Sequence, residues 1–125
     1  VEVFAGSAGL SAELNKSGFD ATAIDWVNNE HRHTSKFPLL ELDLYLVENQ
    51  LTVEDIIMDA AVKFVWFAPP CTSFTKAREI PRRHQDGREI PPTPLRSQEF
   101  PQGLPNLTPQ NQKLVDDGND LADFT

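Results

Sequence analysis

An apolar run that ends in two prolines and a cysteine organises this chain: Phe64-Val65-Trp66-Phe67-Ala68-Pro69-Pro70-Cys71-Thr72-Ser73-Phe74-Thr75. Consecutive aromatic and β-branched residues predict a strand that is buried on both faces, as in parallel sheets covered by helices. Proline cannot donate to a strand ladder, so the strand ends before Pro69, and Cys71 follows a stiff turn. Open α/β sheets bind ligands at this carboxyl edge. The sequence therefore places its only cysteine where a ligand would bind.

Cys71 has two interpretations at this point. An unpaired cysteine commonly behaves as a small buried hydrophobic residue. The alternative is a nucleophile, because a neighbouring cation or a helix N-terminus is enough to activate a thiol near neutral pH. Lys76 and Arg78 follow Cys71 closely and could supply such a cation.

Length and composition predict one domain, residues 1–125, of 14.0 kDa. The chain begins inside a strand pattern and stops inside a helical one, so we expect a piece of a longer domain. A single cysteine excludes an internal disulfide, and the three histidines do not have the usual zinc spacing, so we expect no metal. With no secretory signal and no long apolar run, we expect a soluble intracellular protein with no membrane partner, in the nucleus or the cytoplasm.

The net charge of −8 argues against a general polyanion binder. The segment from Lys76 to Arg96 differs, because it holds six of the eleven Lys and Arg residues and only three acidic ones. It is either a solvated loop or an arm that contacts phosphates.

A glycine turn follows the first predicted strand. Glu2–Ala5 predicts a strand, Gly6–Gly9 a turn and Leu10–Lys16 a helix, with Gly18 as the residue after its C-cap. Glycines let the backbone approach a ligand and direct N–H groups toward it at a helix N-terminus. The pattern is weak alone, because it lacks the complete phosphate-loop and dinucleotide motifs.

Acidic residues follow the next two predicted strands. Ala21–Ile24 ends at Asp25 and Trp26. An acid about 20 residues after a glycine turn is typical of ribose recognition, and the indole could stack on adenine. The alternative is a surface aspartate beside a core tryptophan. Leu39–Leu44 predicts a third strand with Asp43 near its end, which either accepts from an exocyclic amine or is solvated.

The remaining patterns complete an α/β topology. Thr52-Val53-Glu54-Asp55 fits a capping box that begins a helix before the Phe64 strand. Strands alternating with helices imply right-handed crossovers and a parallel sheet. Seven of the ten prolines lie between Pro81 and Pro109, so residues 76–109 predict a flexible loop without regular structure. Thr108-Pro109 then begins a last helix.

Together these motifs resemble the cytosine-5 DNA methyltransferase family over about residues 1–78. Phe4-Ala5-Gly6-Ser7-Ala8-Gly9 resembles the family's F-A-G-x-G-G motif, which cradles S-adenosylmethionine. Asp25-Trp26 is similar to its pair for ribose and adenine, and Asp43 stands where the family has an Asp for the adenine amine. Pro70-Cys71 with Phe74-Thr75 resembles its Pro-Cys-x-x-Phe-Ser/Thr nucleophile motif.

The resemblance implies a Rossmann-like S-adenosylmethionine-dependent methyltransferase fold: a partial parallel sheet with flanking helices, a long Pro-rich active-site loop and strand order 3-2-1-4. It implies methyl transfer to C5 of cytosine in DNA, with Cys71 as the catalytic nucleophile that adds to C6, and phosphate contacts from Lys76 to Arg96. The implied cofactor-binding residues are Phe4, Ala5, Gly6, Gly9, Asp25, Trp26, Asp43, Leu44 and Pro70.

The chain departs from the family at Ala8, which replaces a usual glycine, and at Thr72, which replaces a usual glutamine. The family's Glu-Asn-Val motif, whose carboxyl group engages the target base, is not present. Three alternatives therefore stay open: a cytosine-5 RNA methyltransferase, an inactive remnant that binds S-adenosylmethionine, and a different nucleoside-cofactor enzyme with an incidental cysteine.

Overall fold

The computed structural model describes residues 1–125 and divides into two compact units. The first comprises Val1–Pro70 with Phe124–Thr125, and the second comprises Cys71–Asp123. The sequence predicted one domain. The division into two compact units does not test that assignment, which stays a prediction.

A four-stranded parallel sheet forms the centre of the first unit. Its strands are β1 (Glu2–Val3), β2 (Ala23–Asp25), β3 (Leu39–Glu41) and β4 (Trp66–Phe67), in the order β3-β2-β1-β4. The predicted strand order is confirmed. With its three helices the chain is an α/β protein, compatible with a Rossmann-like fold. Val3 and Ile24, neighbours across β1 and β2, are fully buried because these are the central strands.

The apolar run alone predicted that β4 is buried on both faces, whereas the strand order 3-2-1-4 places it at the edge, where the structure has it. It pairs only with β1 and lies at the edge of the sheet. Trp66 is 51% exposed and Phe64 is 54% exposed. An apolar run of this kind does not distinguish a central strand from an edge strand, because both carry similar side chains and differ only in their neighbours.

Helix α1 (Gly9–Lys16) follows the glycine turn as predicted. The N-cap residue, Ala8, forms no capping hydrogen bond with its side chain. Instead the buried Glu2 carboxylate accepts from the backbone N–H of Ser11 at 2.8 Å and from its hydroxyl at 2.7 Å. At the other end, Gly18 donates to Asn15 and Phe19 donates to Leu14, so Gly18 is the residue after the C-cap, as predicted.

Helix α2 (Val47–Ile57) begins earlier than the capping box implied. Thr52 lies within the helix, where its hydroxyl donates to the Glu48 carbonyl at 2.9 Å instead of capping. The start is fixed by Asn49 and Gln50, whose side-chain amides donate back to the carbonyls of Asp43 and Leu44. The capping-box prediction was therefore wrong.

The second unit contains a small hairpin and a long helix. Strands β5 (Arg82–Arg83) and β6 (Glu89–Ile90) pair antiparallel, after a 3₁₀ turn at Lys76–Glu79. The expectation of no regular structure in residues 76–109 is therefore wrong at these elements, because backbone pairs such as His84 to Arg88 form between the prolines. The flexibility of the segment stays a prediction. Helix α3 (Pro109–Phe124) begins where Thr108-Pro109 predicted.

Candidate functional site

The glycine turn between β1 and α1 has an unusual backbone. Phe4, Gly6 and Ala8 have φ angles of 60°, 57° and 52°. For Phe4 and Ala8 this left-handed conformation costs roughly 1–2 kcal/mol each. The turn is held by backbone hydrogen bonds from Ala5 to Ile24 at 3.0 Å and from Ala8 to Ala5 at 2.7 Å. Strained backbone of this kind clusters at ligand sites, which agrees with the predicted role of Phe4–Gly9.

Asp25 meets the glycine turn at the carboxyl edge of the sheet. Its Oδ2 accepts from the Gly6 N–H at 2.6 Å, and its Oδ1 accepts from the Trp26 N–H at 2.8 Å. Asp25 is 9% exposed. A carboxylate oxygen has two acceptor positions, so each Asp25 oxygen retains one. The structure thus brings together the two residues that the sequence assigned to one cofactor.

Asn29 is a component of this turn that the sequence analysis missed. Its side-chain amide donates to the Gly6 carbonyl at 2.6 Å, and its Oδ1 accepts from the His31 N–H at 2.8 Å. Asn29 is 8% exposed. Asp25 and Asn29 therefore hold the N–H and the C=O of Gly6 respectively. Asn29 lies in a polar irregular segment, and no sequence pattern there connects it to the glycines.

The other predicted cofactor residues surround the ends of β2 and β3. Trp26 is 42% exposed, so its indole is accessible. The Leu42 N–H donates to the Asp25 carbonyl at 2.8 Å, which places the chain before Asp43 beside the end of β2. Asp43 is partly buried and accepts from the Tyr45 N–H at 3.1 Å, and Leu44 is buried. Pro70 is exposed and ends the first unit.

Cys71 begins the second unit as a free, exposed thiol. The interpretation of Cys71 as a buried hydrophobic residue is therefore excluded. It opens a tight turn, in which the Phe74 N–H donates to the Cys71 carbonyl at 2.9 Å. Ser73, within this turn, is 4% exposed.

The turn packs against helix α3 at Gly118. A Cβ at this position would collide with the Ser73 hydroxyl and would lie 3.2 Å from a ring carbon of Phe74 and 3.3 Å from Nη2 of Arg96. The sequence indicated only that Gly118 weakens a helix. The structure gives the reason for glycine, which is the close approach of the Cys71 turn.

We therefore expect Gly118→Ala to lower the free energy of unfolding. Gly to Ala in a helix normally stabilises by about 1 kcal/mol. Here the added methyl group forces Ser73 to move, and overpacking of this kind costs about 1–3 kcal/mol. Urea denaturation should show the loss, whereas Asp120→Ala, an exposed change in the same helix, should not. A Gly118→Ala protein more stable than the parent would contradict the contact.

The basic segment presents fewer unpaired cations than its composition suggested. Arg88 pairs with Asp86 at 2.7 Å, and Arg83 lies 3.7 Å from Glu89. Arg96 turns inward, and its guanidinium donates to Ser73 and to residues of α3. Its assignment to a phosphate-contacting arm is thus corrected, because its donors are already occupied. Lys76 and Arg82 are exposed and form no ion pair.

The chain has neither a cluster of metal ligands nor a membrane-spanning helix. No three His, Cys, Asp or Glu residues are grouped so that they could hold a metal ion. None of the helices has the length and apolar character needed to cross a membrane.

Comparison of the chain with known proteins finds no relative. No family model matches the chain, and no curated protein or solved structure is significantly similar to it. We therefore infer the function from the motifs and from the geometry of their residues.

Proposed function

We propose that this chain is the cofactor-binding and nucleophile-bearing part of a cytosine-5 methyltransferase. The observation that carries the proposal is the hydrogen bond of 2.6 Å from the Gly6 N–H to Asp25. It joins the glycine turn after β1 to the acid after β2, at the carboxyl edge where parallel α/β sheets bind nucleoside cofactors. Two motifs far apart in the sequence therefore form one arrangement.

The residues present fit S-adenosylmethionine by their chemistry. Asp25 retains an acceptor position on each oxygen for ribose hydroxyls, and the exposed indole of Trp26 offers a face to adenine. A Cβ at Gly6 would find only the His31 ring within 4 Å, at 3.9 Å, so the turn is open on that side. When bound, this cofactor supplies a methyl group activated by a sulfonium sulfur.

Cys71 supplies the covalent step in the proposed reaction. Its thiolate would form a bond to C6 of cytosine, and the electron pair of the C5–C6 double bond would form the new bond from C5 to the methyl group, whose bond to the cofactor's sulfur would break to leave a neutral thioether. Loss of the C5 proton then re-forms the double bond and expels the thiolate. Cys71 is exposed and forms no disulfide, as this addition requires.

The substrate is a cytosine in a nucleic acid, with DNA preferred and RNA as the alternative. A paired base must leave the stack before a thiol can reach C6, which costs a few kcal/mol. The exposed Lys76 and Arg82, which form no ion pair, are the side chains of the basic segment that we assign to phosphate contacts. They follow Cys71 in the same unit.

The proposal is tested by transfer of a labelled methyl group from S-adenosylmethionine, in parallel on duplex DNA and on transfer RNA. We expect 5-methylcytosine in DNA when a segment that carries a Glu-Asn-Val motif is joined to the chain. Label in transfer RNA alone would replace DNA with RNA as the substrate. Cofactor binding without transfer to either would favour the inactive remnant and overturn the enzyme assignment.

A further inference from the structure

Arg96 uses all of its hydrogen-bond donors inside the second unit. Two of them hold Ser73, since Nε donates to its carbonyl at 3.3 Å and Nη2 to its hydroxyl at 3.0 Å. Two more hold α3, through the Val115 carbonyl at 3.1 Å and the Asn119 Oδ1 at 2.8 Å. The last, on Nη1, donates to the Pro101 carbonyl at 2.7 Å. A guanidinium has five N–H donors, so none is left for an external ligand.

The guanidinium also covers an aromatic ring of the same turn. Its central carbon lies 3.7 Å from the centroid of the Phe74 ring, within the range of a cation–π contact. Burial lowers the pKa of Arg96, yet an arginine remains protonated in proteins. All of its oxygen partners are neutral groups, so the side chain is not placed by an ion pair.

We propose that Arg96 is the positioning residue of the Cys71 turn. It connects Ser73 and Phe74 to helix α3 and to Pro101, and so holds the segment that presents the thiol in one conformation. This inference rests on the proposed function only in treating Cys71 as a nucleophile. The hydrogen bonds themselves do not depend on it.

The geometry explains why arginine occupies this position. Five acceptors in three segments of the chain match the planar fork of a guanidinium, whereas an ammonium has three donors on one atom. Gly118 contributes by leaving room for Ser73 beside α3. Asn119 is itself held, because its side-chain amide donates to the Gln102 carbonyl at 3.1 Å.

The test is the backbone order of the turn, measured by nitrogen relaxation on the 125-residue chain. In the parent we expect order parameters near 0.85 for the Ser73 and Phe74 amides, and in Arg96→Met values below about 0.6, while the amides of α3 stay rigid. Arg96→Lys keeps the positive charge but not the fork, so we expect it not to restore the order of the turn.

Leu95→Val is the control that distinguishes positioning of the turn by Arg96 from a general loss of stability. Leu95 precedes Arg96, is almost fully buried and contributes packing, so this variant loses stability without losing a guanidinium bond. The turn should stay ordered in it. An ordered turn in Arg96→Met or Arg96→Lys, or equal disorder in Leu95→Val, would overturn the proposal. If Arg96→Met does not fold, the order parameters of the Ser73 and Phe74 amides in Arg96→Lys test the proposal in its place. Failure of the proposed function would appear elsewhere, as an ordered turn whose Cys71 forms no adduct with 5-fluorocytosine when a segment with a Glu-Asn-Val motif is joined to the chain.

Discussion

Cys71→Ser is expected to abolish covalent trapping by a nucleic acid that contains 5-fluorocytosine. Fluorine at C5 prevents loss of the proton that would free the enzyme, so a thiolate that has added to C6 remains attached. A serine hydroxyl is almost wholly protonated at neutral pH and has no activating base here, so it cannot replace the thiolate. Denaturing gel electrophoresis distinguishes the adduct from the free protein. In the family that the motifs resemble, the carboxyl group that engages the base belongs to a Glu-Asn-Val motif, which residues 1–125 do not contain. We therefore expect the adduct when a segment with that motif is joined to the chain and not with residues 1–125 alone.

Two controls make this experiment specific. Thr72→Ser changes an exposed neighbour of Cys71 and should leave trapping intact. Cys71→Ser should still bind S-adenosylmethionine, because the proposed cofactor residues belong to Val1–Pro70 and Cys71 begins the other unit. Trapping that persists in Cys71→Ser would exclude the thiol mechanism. Trapping by residues 1–125 would show that the carboxyl group of a Glu-Asn-Val motif is not needed for addition.

Local patterns predicted several features of both units. The glycine turn, the cap at Gly18 and the start of α3 at Thr108-Pro109 each depend on residues within a few positions of one another, and all three were found. The meeting of Gly6 with Asp25 was predictable because the carboxyl ends of neighbouring parallel strands share one edge. Strand order came from the family resemblance and was also confirmed.

The features that were missed depend on partners far away in the sequence. Arg96 contributed only a charge to the sequence analysis, because its acceptors lie on Ser73, Pro101 and α3 and form no local motif. At Gly118 the sequence indicated only a weak helix, because the atom that leaves no room for a side chain there belongs to Ser73, which is far away in the sequence. The capping-box error at Thr52 is different, because a hydroxyl can bond either forward as a cap or backward within a helix, and the sequence supports both.

Asp25→Ala is expected to weaken S-adenosylmethionine binding roughly ten- to a hundredfold. A hydrogen bond to a charged group contributes about 1.5–3 kcal/mol, and each 1.4 kcal/mol is about tenfold in affinity. The structure adds a second source of loss, since the same carboxylate holds the Gly6 and Trp26 N–H groups at 2.6 and 2.8 Å. Without it, the side-chain hydrogen bond that remains to Gly6 is the one from the Asn29 amide to the Gly6 carbonyl.

Asp25→Asn separates these two contributions. An asparagine oxygen can still accept from the Gly6 N–H but offers no charge to the ribose, so we expect an affinity between those of the parent and Asp25→Ala. Asp20→Ala is the matched control, because Asp20 is an exposed acid shortly before β2 that makes no hydrogen bond or ion pair. It should bind as the parent does. Titration calorimetry on the 125-residue chain measures all four proteins, with thermal unfolding to confirm that each is folded. Equal affinities of the parent and Asp25→Ala would remove the cofactor assignment, and a loss in Asp20→Ala of the same size would trace the effect to net charge instead of the site.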